Sequence, residues 1–101
     1  MMKVVLRWDV TKGKMDEAID WAKRNASFRR KQPGVEDVTV MVPLHGPIAR
    51  FHIVTTHSSV TAWDEFKKKV DNDPEFDAIR KEPIDKGYFA GPPERFLYET
   101  V

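Results

Sequence analysis

Three histidines, His45, His52 and His57, are the side chains best suited to move a proton or hold a metal near neutral pH. Two of them fall in one stretch, Ala49-Arg50-Phe51-His52-Ile53-Val54-Thr55-Thr56-His57. Its β-branched, alternating character makes it a strand, and strand residues five apart point to opposite faces. His52 and His57 therefore neither chelate one ion nor act as a pair, and His45 falls in a turn. The chain has no cysteine, which excludes disulfides, thiolate metal sites and a cysteine nucleophile. No metal site is expected.

Single roles remain. His57 shares parity with Phe51, Ile53 and Thr55, the more apolar set and the one expected to face helices. It closes its strand beside the start of the next helix. The topology derived below is expected to bring Phe28, Trp63 and Tyr98 to that end of the domain. His57 and Tyr98 are then the candidate catalytic pair, an imidazole beside a phenol that moves a proton on a phenolic or enolic substrate. Phe28, Trp63, Trp8 and Asn25 are the candidate substrate-binding residues. The competing reading makes His57 a strand-end residue bonded to helix backbone or water. His52 is expected to face the other side of the sheet, toward a partner copy. Arg7 and Asp9, two apart on one strand face, read as a structural ion pair, with each other or across the dimer.

The elements that must position these groups follow from periodicity. Lys3 to Val10 alternates Val4, Leu6 and Trp8 against Val5, Arg7 and Asp9, which makes a strand. Met15 to Lys31 carries Met15, Ala18, Ile19, Ala22 and Ala26 at helical spacing, with acidic residues early and Arg29, Arg30 and Lys31 late, as the macrodipole favours. Pro33-Gly34 stops it. Val35 to Pro43 is a second strand. Leu44-His45-Gly46-Pro47 is a turn, and a third strand starts at Ile48 or Arg50 and runs to Thr56. Ser58 and Ser59 are capping candidates for a helix with Val60, Trp63, Phe66 and Val70. Asp73-Pro74 starts a short helix with Phe76 and Ile79 on its apolar face. Pro83 and Gly87 to Pro93 read as a long loop, in which Lys86 to Pro93 is a candidate lid or strap. Arg95 to Val101 is a fourth strand.

The order is β-α-β-β-α-β, an α+β ferredoxin-like plan with a four-stranded antiparallel sheet and two helices on one face. One domain spanning 1–101 is expected. Two helices cover one sheet face, yet Val5, Met41, Val54, Leu97 and Val101 are assigned to the other. A bare apolar face of that kind calls for a partner, and a homodimer joined sheet to sheet is expected.

Composition limits the partners. Seventeen basic and sixteen acidic residues leave a formal charge of +1, and the Lys67-Lys68-Lys69 run is flanked by Asp64, Glu65, Asp71 and Asp73, so no nucleic-acid footprint is expected. No apolar run reaches membrane-spanning length, and the start Met1-Met2-Lys3 has no signal-peptide core. No membrane association and a cytoplasmic location are expected. The five glycines are scattered, so no phosphate-cradling loop forms, and no Gly-x-Ser-x-Gly appears.

The residues Gly13-Lys14-Met15-Asp16-Glu17, then Trp21-Ala22, Lys31-Gln32-Pro33-Gly34-Val35 and Pro43-Leu44-His45-Gly46, resemble small dimeric α/β-barrel proteins. These include the antibiotic-biosynthesis-monooxygenase and NIPSNAP-like groups. Trp63 and Phe66 followed by Asp73-Pro74-Glu75-Phe76 continue the likeness across nearly the whole chain. The resemblance implies a homodimer whose two sheets form a barrel, with a pocket between helices and sheet in each protomer. It also implies chemistry without a cofactor, of monooxygenase or isomerase type, on a hydrophobic, aromatic or polyketide-like molecule. Phe51-His52-Ile53-Val54 resembles a stretch of plant polyketide cyclases, but their acid-base histidine has no counterpart in Asn72 to Phe76. The iron-ligating histidine of haem-degrading relatives is likewise missing from Ser58 to Lys86, although Asn25 and Trp63 match in part. The alternative function is a non-catalytic dimer that binds a ligand or partner.

Overall fold

The chain runs in the order β1 (Met2–Asp9), α1 (Met15–Arg30), β2 (Val35–Met41), β3 (Arg50–His57), α2 (Val60–Val70), α3 (Pro74–Lys86) and β4 (Glu94–Glu99). A computed structural model describes residues 1–46 and 49–101, so the expected turn residue Pro47 and the alternative strand start at Ile48 lie outside the described residues. The sheet is antiparallel throughout, in the order β2-β3-β1-β4. This is the four-stranded α+β, ferredoxin-like arrangement that the periodicity predicts.

Local chemistry sets the helix ends. Ser59 accepts a hydrogen bond from the Ala62 N–H at 3.0 Å, and Asp73 accepts one from Glu75 N–H at 2.8 Å, each capping free amides at a helix start. Gly34 takes φ +80, the left-handed region that releases the chain from α1 into β2.

Register decides which side chains share a face. Val4 pairs with Thr55, Leu6 with Ile53 and Trp8 with Phe51, and these residues face the helices. Val4 also pairs with Leu97, and Lys3 with Tyr98. Leu97 therefore lies on the helix side, while Phe96 and Tyr98 join Val5, Val54 and Met41 on the uncovered side. This reverses the expected faces of Leu97 and Tyr98. The run Arg95-Phe96-Leu97-Tyr98 has apolar residues of both parities, so its alternation alone does not choose a face. Arg7 and Asp9 also pair differently from the simplest expectation. Arg7 forms an ion pair with Glu94 and Asp9 one with Arg50, each with the residue opposite it on the neighbouring strand.

The last helix is longer than expected. α3 contains Pro83, which lacks the N–H that would bond the Ile79 carbonyl four residues back. Trp21 Nε1 donates to that carbonyl at 2.7 Å, so a side chain of α1 supplies the missing bond and the helix continues. A second tie lies nearby: the Arg24 guanidinium forks onto both Glu82 oxygens at 2.7 and 2.6 Å, and the Tyr88 hydroxyl donates to the same carboxylate. The Arg24 bonds, helped by Tyr88, hold the Glu82 carboxyl down to about 2.

Two apolar clusters result. One gathers Trp8, Trp21 and Phe51 with the alanine stripe of α1, and the other gathers Phe28, Phe66, Val70 and Phe76. The segment after α3 is built into the first cluster. Thr11 N–H donates to the Tyr88 carbonyl and Ala90 N–H to the Asp9 carbonyl, both at 2.9 Å. These bonds seat Phe89 on Trp8 and Trp21, with ring centroids 5.7 and 5.2 Å apart.

Candidate functional site

Between the two clusters lies a cavity of about 760 Å³, within the size range of small-molecule sites. Its floor is the helix-facing side of β1, namely Val4, Leu6 and Trp8. α1 contributes Trp21, Asn25 and Arg29, spaced four apart along one row of the helix. α2 adds Trp63, Phe66 and Lys67, α3 adds Phe76 and Arg80, and Phe89 and Arg95 complete the wall beside β4. The lining is mostly apolar, with six aromatic rings among it, a few cationic groups and the carboxylate of Asp71 at the α2–α3 turn.

Arg29 is the unusual member. It is 7% exposed, and its Nε donates to Asn25 Oδ1 at 2.8 Å. Its guanidinium carbon lies 5.7 Å from the Phe66 ring centre and 5.5 Å from that of Phe76. No ion pair joins it to a carboxylate among the described residues. Burial first, and then the neighbouring Arg80 charge, lower its pKa to about 10, which still leaves it cationic at neutral pH. Arg80 stacks on Phe76 at 4.7 Å and is paired to Asp71 and Asp77. At the rim the Lys67 ammonium sits 3.8 Å from the Trp63 ring centre.

The structure brings three of the expected substrate-binding residues, Trp8, Asn25 and Trp63, to this cavity. Phe28 is buried in the second cluster against Phe76, outside the lining. His57 is fully buried against Phe66, with ring centroids 5.1 Å apart, and it too lies outside the lining. Both its ring nitrogens lack a hydrogen-bond partner among the described residues. Tyr98 is 57% exposed on the opposite face of the sheet, so it does not meet His57. Residues spaced through α1, α2 and α3 make the site instead. Arg29 and Trp21 were missed as site residues because each has a bland local reading, as a helix-end cation and as core. The available signal was the row Trp21, Asn25, Arg29, which sets an amide and a guanidinium in line with an indole beside an alanine stripe.

Burial, and then the Arg29 charge, push the His57 pKa below 6.5. The unfolded chain takes up a proton there near pH 6.5, while the folded chain resists it. Stability is therefore fully present above about pH 6.5 and is lost as pH falls toward the depressed folded value. His52, depressed by burial and by Arg7 and Arg50, acts in the same direction from the other sheet face. Between pH 7 and 5 the melting temperature is expected to fall, and to fall less in His57→Leu than in the wild type. Equal falls in the two proteins would show that His57 does not set the dependence.

Among the described residues, no group of three or more His, Asp or Glu side chains gathers to hold a metal ion, and no helix is long and apolar enough to cross a membrane. No protein-family model matches the sequence. A search of curated proteins likewise finds no match. Solved structures do match. A candidate antibiotic biosynthesis monooxygenase from Nitrosomonas europaea superposes with a TM-score of 0.81 at 15% identity, over 100% of this chain and 99% of that one. A second, from Deinococcus radiodurans, gives 0.79 at 13%, over 100% and 93%. An uncharacterised NIPSNAP domain protein from Burkholderia xenovorans gives 0.77 at 12%, over 100% and 95%. At these identities the likeness is one of fold, and in fold this chain matches antibiotic biosynthesis monooxygenase-like and NIPSNAP domain proteins.

Proposed function

We propose that the chain is a small enzyme of monooxygenase or isomerase type that acts on a hydrophobic, aromatic or polyketide-like molecule without a resident cofactor. The observation that carries this reading is the cavity of about 760 Å³ walled by Trp8, Trp21, Trp63, Phe66 and Phe89. Flat aromatic walls hold a polycyclic body by stacking and keep water from it, while Asn25 and Arg29 supply polar contacts at one side. In such a site a substrate anion is desolvated next to fixed cationic and amide groups, which favours its reaction with dioxygen or its rearrangement. His57 and Tyr98 carry no catalytic role in this proposal, because neither borders the cavity.

A homodimer is part of the proposal. Val5, Val54, Phe96, Met41 and Tyr98 leave an apolar stripe on the uncovered sheet face, and a second copy is the occupant that suits it.

Anthrone tests the oxygenase arm: with one dioxygen it yields anthraquinone and one water, so the reaction is followed as oxygen uptake. The expected result is uptake above a heat-denatured control, cut at least tenfold by Trp63→Ala. The sealed position of His57 favours one second reading, a dimer that binds such molecules without turning them over. Saturable anthrone binding with neither oxygen uptake nor isomerisation would favour it. A monomer mass by native mass spectrometry would overturn the dimer.

A further inference from the structure

We propose that the cavity is built for an amphipathic acid, and that Arg29 is the residue that receives its carboxylate. The inference rests on the cavity of the preceding section and adds the charge of its ligand. Three observations support it. Arg29 is more than nine-tenths buried yet borders the cavity, and no carboxylate of the described residues neutralises it. Its Nε is tied to Asn25 Oδ1, which fixes the plane of the guanidinium and leaves the two terminal nitrogens as the donors for a ligand. The rings of Phe66 and Phe76 flank the charge and offer it no counter-ion.

A lone guanidinium in an apolar wall costs stability unless something anionic meets it. Among the nearby charges, Arg80 is engaged by Asp71 and Asp77 and Lys67 lies 3.9 Å from Asp64, while Arg95 adds positive charge at the rim. The cavity therefore presents a net cationic polar side to a ligand whose body lies on Trp8, Trp63 and Phe89. A flat aromatic acid satisfies both halves at once. Asn25 is a positioning residue in this scheme, acting through the Arg29 fork.

The test compares 2-naphthoate with 2-naphthamide, which share a ring system and differ in charge, by calorimetry on the intact protein at pH 7.5. The acid is expected to bind at least tenfold tighter than the amide, and Arg29→Met is expected to abolish that preference. Without ligand, Arg29→Met is expected to melt at the wild-type temperature or above it, since it removes an unneutralised buried charge. Arg29→Lys keeps the charge but not the fork, and is expected to keep part of the preference. Should Arg29→Met fail to fold, the acid-over-amide ratio in the wild type and its reduction in Arg29→Lys still decide the matter. Equal binding of acid and amide would overturn the inference while leaving the aromatic pocket intact. Binding of neither would overturn both. An acid preference that survives in Arg29→Met would assign the anion to the rim instead and overturn the role of Arg29.

Discussion

Trp21→Ala is expected to destabilise the protein by about 3–5 kcal/mol, the usual cost of deleting a buried tryptophan. At a fixed protein concentration this lowers the melting temperature by about 15–30 °C for a domain of this size. The effect has two parts that can be separated. Trp21 is 2% exposed and packs edge-on to Trp8 and Phe89, so part of the loss is apolar contact. The remainder is the hydrogen bond to the Ile79 carbonyl, the group that Pro83 leaves without its helical donor. Trp21→Phe keeps most of the contact and removes the donor, at a cost of about 1–3 kcal/mol for an unpaired buried carbonyl. Pro83→Ala restores a backbone N–H where that carbonyl needs it. It is therefore expected to stabilise Trp21→Phe more than it stabilises the wild type, where the carbonyl is already engaged. Thermal melts of the four proteins in the cycle decide this. An equal gain from Pro83→Ala in both backgrounds would mean that indole and proline act independently.

That pair also explains which parts of the fold can be read from the sequence. β1, α1, β2 and α2 carry their signals locally, as alternation, as a three-and-four spacing, or as a capping serine. α3 does not. Pro83 signals a helix end to any local reading, and the group that lets the helix continue lies far off in sequence, on α1. Strand β4 is ambiguous for a related reason: Phe96, Leu97 and Tyr98 are apolar on both parities, and only pairing with Val4 and Lys3 chooses a face. The candidate site divides in the same way. Trp8, Asn25 and Trp63 follow from placing aromatic and amide groups on the faces of elements that can be read locally. Arg29 cannot be told from a helix-end cation until the covering rings of Phe66 and Phe76 are in place. His57 shares its strand parity with Phe51 and Ile53, but that parity says nothing of how deeply Phe66 covers it. Where a site is shared among several helices and a strand, its membership is a property of packing, and packing is the part of the fold that local patterns carry least.

Gly34→Ala is expected to be nearly as damaging as the loss of Trp21, at about 3 kcal/mol, although it adds one methyl group. Two costs combine. Gly34 sits at φ +80, where a residue with a Cβ is disfavoured by about 1–2 kcal/mol. A Cβ there would also lie 2.9 Å from the Ala62 Cβ in the first turn of α2, closer than two carbons tolerate. Neither neighbour moves freely, because the Gly34 carbonyl accepts the Ser58 N–H at 3.0 Å, and Ser59 caps the helix that carries Ala62. The clash and the backbone strain are separable, since only the clash depends on Ala62. Ala62→Gly alone is expected to weaken α2 by up to about 1 kcal/mol, as glycine does in a helix. Combined with Gly34→Ala it is expected to recover the clash component, so the double variant should melt above Gly34→Ala. A double variant that melts below Gly34→Ala by the full cost of Ala62→Gly would show that the two sites do not touch, and that backbone strain alone keeps glycine at position 34. The contact matters for the site as well as the fold. It braces the turn after α1 against the first turn of α2, the helix that carries Trp63 into the cavity lining.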